Sequence, residues 1–258
     1  EGTISSGIDV WSKRTRELVV DKFYKNGDYH NDHGEGLDDY HTSASRGCGG
    51  LGIWDGKKLY VSINYKSWKL ITTGPVRSEF ELTYDAWDAA GRKVSEVRRI
   101  SIDAGSWMNK AQSTFTADGK EPLAVAVGIA ERPAKDAEII GQDQKEGWMT
   151  YWQPVDRDRG SIACAILLPK GSVKEFTNDK PDMPDSVLHT EQTPDSEGQP
   201  AIRNLLAVTA VKPGAVFTYY FGASWDKSGD FADAKAWDEY VKRFAQRRDE
   251  PLKVVVEK

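Results

Sequence analysis

The chain has 258 residues but only 2 Cys, 3 Met and 4 His. Cys48 and Cys164 are too few for a disulfide framework, and their spacing fits neither a zinc ribbon nor a redox-active Cys-x-x-Cys pair. Long apolar runs are missing too, which excludes a membrane-spanning helix. Charge is balanced: 35 Lys+Arg stand against 40 Asp+Glu, a net charge of -5. Without a dense basic cluster the chain has no electrostatic footprint for a phosphate backbone, so nucleic acid is not an expected partner. Hydrophobic residues make up 39%, enough for a globular core and too many for a disordered chain.

Aromatic residues, by contrast, are plentiful: 9 Trp, 10 Tyr and 8 Phe. Tryptophan keeps an N–H that wants a partner and is costly to bury whole, so some of these rings are expected to line a cleft. Flat aromatic faces suit the C–H faces of sugar rings, and the acidic balance disfavours nucleobases.

Most of the chain reads as short strands. Val76, Phe80, Leu82 and Tyr84 alternate with Arg77, Glu79, Glu81 and Thr83, a period of two. Residues 52–61 read as a hairpin turned at Asp55-Gly56. Further strands are expected over 123–129, 148–152, 162–168, 205–211 and 216–221. The alternation falters over 94–102, where Glu96 and Arg98 share a face with Ile100 and Ile102, as at a bulge or beside a wet groove. One helix is expected near the C-terminus, with Trp237, Tyr240, Val241 and Phe244 in helical spacing and Asp230 or Asp233 as its N-cap. Residues 170–203 read as a long loop. The expectation is an all-β, antiparallel β-sandwich forming a single domain over 1–258. Because the sequence opens at Glu1, residues 1–10 are read as a cut edge.

Reactive side chains concentrate between His30 and Leu51. His30, His33 and His41 lie with Glu35, Tyr40 and Arg46 in a stretch without apolar period, and catalytic groups tend to be mounted on such loops. A metal would take His30, His33 and Glu35, but the spacing is unlike a helical zinc motif, and no metal or other cofactor is assigned. Gly47, Gly49 and Gly52 match G-x-G-x-x-G only formally, since a hairpin follows them where a dinucleotide site needs a helix. The residue types fit β-elimination at a uronic acid. His33 or His30 takes the C5 proton, Tyr40 or the other histidine protonates the leaving oxygen, and Arg46 pairs with the carboxylate as charge grows on it. Trp225 and Lys227, within a patch from Tyr219 to Asp230, and Tyr151 with Trp152, are candidate sugar contacts. The chain lacks the G-x-S-x-G elbow of serine hydrolases.

The blocks Gly7–Trp11, Asp28–Gly36, Ser45–Trp54, Gly74–Arg77 and Trp225–Asp230 resemble a bacterial domain family of unknown function encoded in polysaccharide-utilisation systems. The resemblance implies a galactose-mutarotase-like supersandwich, a periplasmic or secreted protein, and an acidic plant or algal oligosaccharide as substrate. It also implies similarity to dehydratases that remove water from the terminal uronic acid of ulvan-type fragments. Carried over by motif, the site residues are His30, His33 and Arg46, whereas His41 is not expected in the family. Members usually begin further upstream, so the chain is expected to lack first strands. Two readings compete with the lyase: a mutarotase or epimerase, and a non-catalytic carbohydrate-binding module.

Overall fold

A computed structural model describes residues 6–40, 42, 44–131, 138–155, 159–179 and 203–252. Strands dominate, and they form two facing antiparallel sheets. The larger sheet begins at one edge with β10 (Ile139–Asp143) and continues through β11 (Trp148–Val155), β12 (Gly160–Leu167), β15 (Val216–Trp225), β8 (Met108–Ala117), β7 (Arg92–Asp103) and β6 (Arg77–Ala89) to β5 (Ser67–Thr73). The smaller has the order β13 (Glu175–Asp179), β14 (Arg203–Val211), β9 (Leu123–Glu131), β3 (Cys48–Trp54) and β4 (Leu59–Tyr60). A two-stranded ribbon, β1 (Ser12–Lys13) with β2 (Gly36–Leu37), joins the N-terminal segment to the histidine loop. The expected all-β sandwich is the observed fold.

The period of two decides which side chains enter the core. On β11 and β12, Met149, Tyr151, Ile162, Cys164 and Ile166 face the smaller sheet, while Trp148, Trp152, Ala163, Ala165 and Leu167 face outward. Those outward residues would leave a wide apolar strip in water, and the C-terminal helix covers it. Helix α2 (Ala234–Asp249) starts at Asp233, whose carboxylate accepts the Ala236 N–H at 2.8 Å. It lays Trp237, Val241 and Ala245 on the strip, with the Trp237 indole N–H donating to Cys164 O at 3.1 Å. Burying one such ring stabilises the fold by about 2–3 kcal/mol.

This geometry corrects the expected sugar platform at Tyr151 and Trp152. Neighbours on a strand point to opposite faces, so Tyr151 lies between the sheets and Trp152 lies under α2. Residues 170–203 are likewise not one loop, because Phe176 packs against the core and 175–179 pair with β14, while residues 180–202 lie outside the described part. A seven-residue helix, α1 (Val20–Asn26), was not foreseen; it buries Phe23 and stops at left-handed Gly27. At the other end of the larger sheet, β5 is exposed along its length, with Trp68 66% and Leu70 52% exposed. The glycines of the formal G-x-G-x-x-G motif serve packing: a Cβ on Gly47 would strike Ile8, and one on Gly49 would strike Phe221.

Candidate functional site

A cleft of about 280 Å³ lies where the N-terminal segment crosses the end of β15 and a 3₁₀ turn, Asp226–Ser228. Trp11, Trp107 and Trp225 line it together with Arg14, Arg16 and Asp230. Two of the five sequence blocks, Gly7–Trp11 and Trp225–Asp230, therefore meet in space, and three of the 9 tryptophans wall one cleft. Residues 6–13 hold their place through main-chain bonds: Ile8 N–H donates to Arg46 O at 3.2 Å, and Cys48 N–H donates to Ile8 O at 2.8 Å. The segment read as a cut edge is thus woven into the sandwich from Ser6 onward.

Both arginines lie over indole rings. The Arg14 guanidinium carbon is 4.6 Å from the centre of the Trp225 ring, and that of Arg16 is 5.7 Å from the Trp107 ring. Such stacking leaves the N–H edges of a guanidinium able to bond in its plane. Trp225 is fixed from behind, its indole N–H donating to Arg159 O at 2.7 Å. Trp107 leans edge-on against Phe231 and Tyr240 of the C-terminal region. Each arginine also has an acidic partner: Arg16 pairs with Asp230 at 3.2 Å, and Arg14 donates from Nη1 and Nη2 to the two carboxylate oxygens of Asp32 at 2.9 and 2.8 Å.

Asp32 brings in the histidine loop. Its Oδ1 also accepts the N–H groups of Gly34, at 2.9 Å, and Gly36, at 3.2 Å, so the loop turns around this carboxylate. The Arg14 hydrogen bonds hold its pKa below the ordinary carboxylate value, against the opposing effect of burial. His33 Nε2 lies 3.1 Å from Asp28 O, an oxygen that only accepts, so the neutral ring carries its lone pair on Nδ1. His30 Nδ1 lies 2.9 Å from Asp38 O, and its ring is 4.3 Å from that of Tyr29, which stacks on Trp11. The two imidazoles are 56% and 57% exposed and do not line the cleft; Asp32 and Tyr29 connect them to it. Glu35 pairs with Lys22, and among the described residues no group of three or more His, Cys, Asp or Glu is placed to hold a metal ion. His41 lies outside the described residues.

Two expected members are elsewhere, and the structure corrects both placements. Arg46 is fully buried, its side chain lying against Gly128 and Leu206 of the smaller sheet and donating to Ser6 Oγ, Leu51 O and Ala44 O at 3.1–3.2 Å. Burial, reinforced by the nearby Arg98 charge, pulls its pKa down to about 10. A guanidinium sealed in this way braces main-chain carbonyls and has no path to a substrate carboxylate. Tyr40 is also in the core, and burial followed by the Cys164 and Cys48 thiols pushes its pKa well above the ordinary phenol value. It holds its proton too tightly, and too far from solvent, to hand it to a leaving oxygen. Trp225 lines the cleft but is only 3% exposed, while Lys227 contributes a carbonyl, accepting from Arg14 Nε at 3.4 Å. Sequence reasoning passed over Trp11, Arg14, Arg16 and Trp107. The readable signal was Trp11-Ser-Lys-Arg-Thr-Arg16, an indole followed at once by three cations.

Comparison with known proteins places the chain. It is 33% identical over 261 residues to Uncharacterized protein P7 of Formosa agariphila, covering 99% of this chain and 60% of that protein, so it spans about three fifths of the curated relative. A solved structure, "Putative kojibiose phosphorylase from human microbiome", aligns with 76% of this chain and 27% of its own at 11% identity and a TM-score of 0.39. The profile described as Domain of unknown function (DUF4861) matches residues 2–254, and the chain belongs to that family.

Proposed function

We propose that the protein acts on uronic-acid-containing oligosaccharides, seating an acidic sugar in the tryptophan-walled cleft. The observation that carries this reading is the pair of guanidiniums, Arg14 and Arg16, laid over the indoles of Trp225 and Trp107 in one cleft. The guanidinium forks, backed by these indoles, match a planar carboxylate. A few local cations are what a chain of net charge -5 needs to recognise an anion.

The chemistry that uses the neighbouring groups is β-elimination. Neither imidazole lines the cleft, so elimination requires the histidine loop to reach C5 of the bound sugar; His33 Nδ1 then takes the C5 proton, the electrons of that bond form the C4–C5 double bond, and the C4–O bond breaks. The departing oxygen leaves with a proton supplied by His30, as water or as the hydroxyl of a second sugar. Arg14 takes the role first given to Arg46, pairing with the carboxylate as it gains enolate character. Under this reading His33→Ala and His30→Ala lower turnover by a factor of about 10²–10⁴ and leave affinity near wild type.

Incubating the protein with a panel of uronic oligosaccharides tests the proposal. Ultraviolet absorbance reads the new double bond, and mass spectrometry separates loss of water from chain cleavage. Binding with no product from any substrate would abandon the lyase reading. It would favour a carbohydrate-binding module, a second reading supported by the position of both imidazoles outside the cleft lining.

A further inference from the structure

We infer that Asp32 is a positioning residue, holding the Arg14 guanidinium so that its Nε–Nη2 edge serves as the carboxylate-docking fork of the cleft. The inference rests on the acidic-oligosaccharide reading and deepens it, since it names the recognition fork and ties it to the histidine loop.

A guanidinium offers two edges for a planar oxyanion: the end-on edge of Nη1 and Nη2, and the side-on edge of Nε and Nη2. Asp32 fills the end-on edge of Arg14 at 2.9 and 2.8 Å. Among the described residues the one contact on the side-on edge is Nε to Lys227 O at 3.4 Å, at the long end for a hydrogen bond, so a carboxylate bound bidentate there would displace that carbonyl. The Trp225 ring lies 4.6 Å from the guanidinium carbon and restricts its movement on that side. Ring and carboxylate together leave the guanidinium little freedom, and a donor that need not reorganise binds an anion more tightly than a mobile one.

The holder is itself held. Asp32 accepts two loop N–H groups besides Arg14, the Arg14 main-chain N–H donates to Glu35 O at 2.9 Å, and Lys13 pairs with Gly36 across the ribbon. Arg14 and the segment bearing His30 and His33 are therefore stitched together by both side chain and main chain. Arg16 lacks this support: its side chain is 84% exposed and it meets Asp230 through a single nitrogen. The fork that fixes the carboxylate is Arg14.

A double-mutant comparison tests the inference. Wild type, Asp32→Asn, Arg14→Lys and the double variant are titrated calorimetrically with a uronic oligosaccharide that wild type binds, and with its methyl ester. Asp32→Asn keeps an oxygen for the loop N–H groups and removes the charge that aligns Arg14. The expected result is about tenfold weaker uronate binding for each single variant, no further loss in the double, and an unchanged affinity for the ester. Unaltered uronate binding in Asp32→Asn, losses that multiply in the double, or an equal loss for the ester would each overturn it. If Asp32→Asn does not fold, Asp32→Glu carries the same comparison, and wild-type affinity there would overturn the inference. A wild-type protein that binds no uronate overturns the parent reading, and this one falls with it.

Discussion

Glu96 and Arg98 stand two residues apart on β7, and Arg98 Nε and Nη2 donate to the two Glu96 carboxylate oxygens at 2.7 and 2.9 Å, both side chains sealed from solvent. Ser113 donates a further bond to Glu96 Oε1 at 2.6 Å, and the Tyr84 ring lies 4.9 Å from the guanidinium carbon. The broken alternation over 94–102 thus marks an ion pair enclosed in the sandwich, where a wet groove or bulge had been expected. Removing one partner leaves the other charged and dry. Glu96→Gln should destabilise the fold by about 3 kcal/mol, and replacing both residues by Leu should cost less than either single change. Urea midpoints check this; a Glu96→Gln protein within 1 kcal/mol of wild type, a margin of about one ordinary hydrogen bond, would defeat it.

Arg46 gives a prediction that separates brace from ligand contact. Arg46→Ala strips three acceptors of their donor and opens a void against Gly128, at a cost of roughly 3 kcal/mol. The folded protein that remains should bind uronate as wild type does. Unchanged melting with lost binding would return Arg46 to the site.

Acid should loosen the histidine loop. The folded Asp32 value lies below its ordinary 3.8, so the stability this carboxylate adds is present above that value and disappears as pH falls through the lower folded one. Wild type should melt above Asp32→Asn at pH 7, and the gap should close towards pH 2. A gap independent of pH contradicts an ionised Asp32 as the anchor.

The tryptophans divide by place. Trp107→Ala should weaken sugar binding roughly tenfold, or about 1.4 kcal/mol. Trp68→Ala, on the far edge strand, should leave it unchanged and serves as the control. Equal effects from the two would mean that the cleft is not where sugar binds.

Strand order along the chain and the C-terminal helix were legible because their signals are local: an Asp-Gly turn after Trp54, or four apolar residues spaced 3 and 4 apart from Trp237. Site membership was not, because it depends on contacts across the chain. Arg46 and Arg14 are both arginines beside polar loops, and only the packing of the smaller sheet over one of them makes it a brace. Tyr151 and Trp152 looked like one platform because a sequence does not display the covering helix. Trp225 drew notice from the sequence because of the polar, glycine-bearing turn after it, and it closes β15 at the cleft.

Trp107 receives more than ring contacts from α2, for its main-chain N–H donates to the Tyr240 hydroxyl at 3.1 Å, 133 positions away. One wall of the cleft is thereby hung on the C-terminal helix. Under the proposed function, damage to that helix, whether by truncation or by a Tyr240 substitution that spares the fold, should surface as weakened carbohydrate capture before any loss of secondary structure is seen.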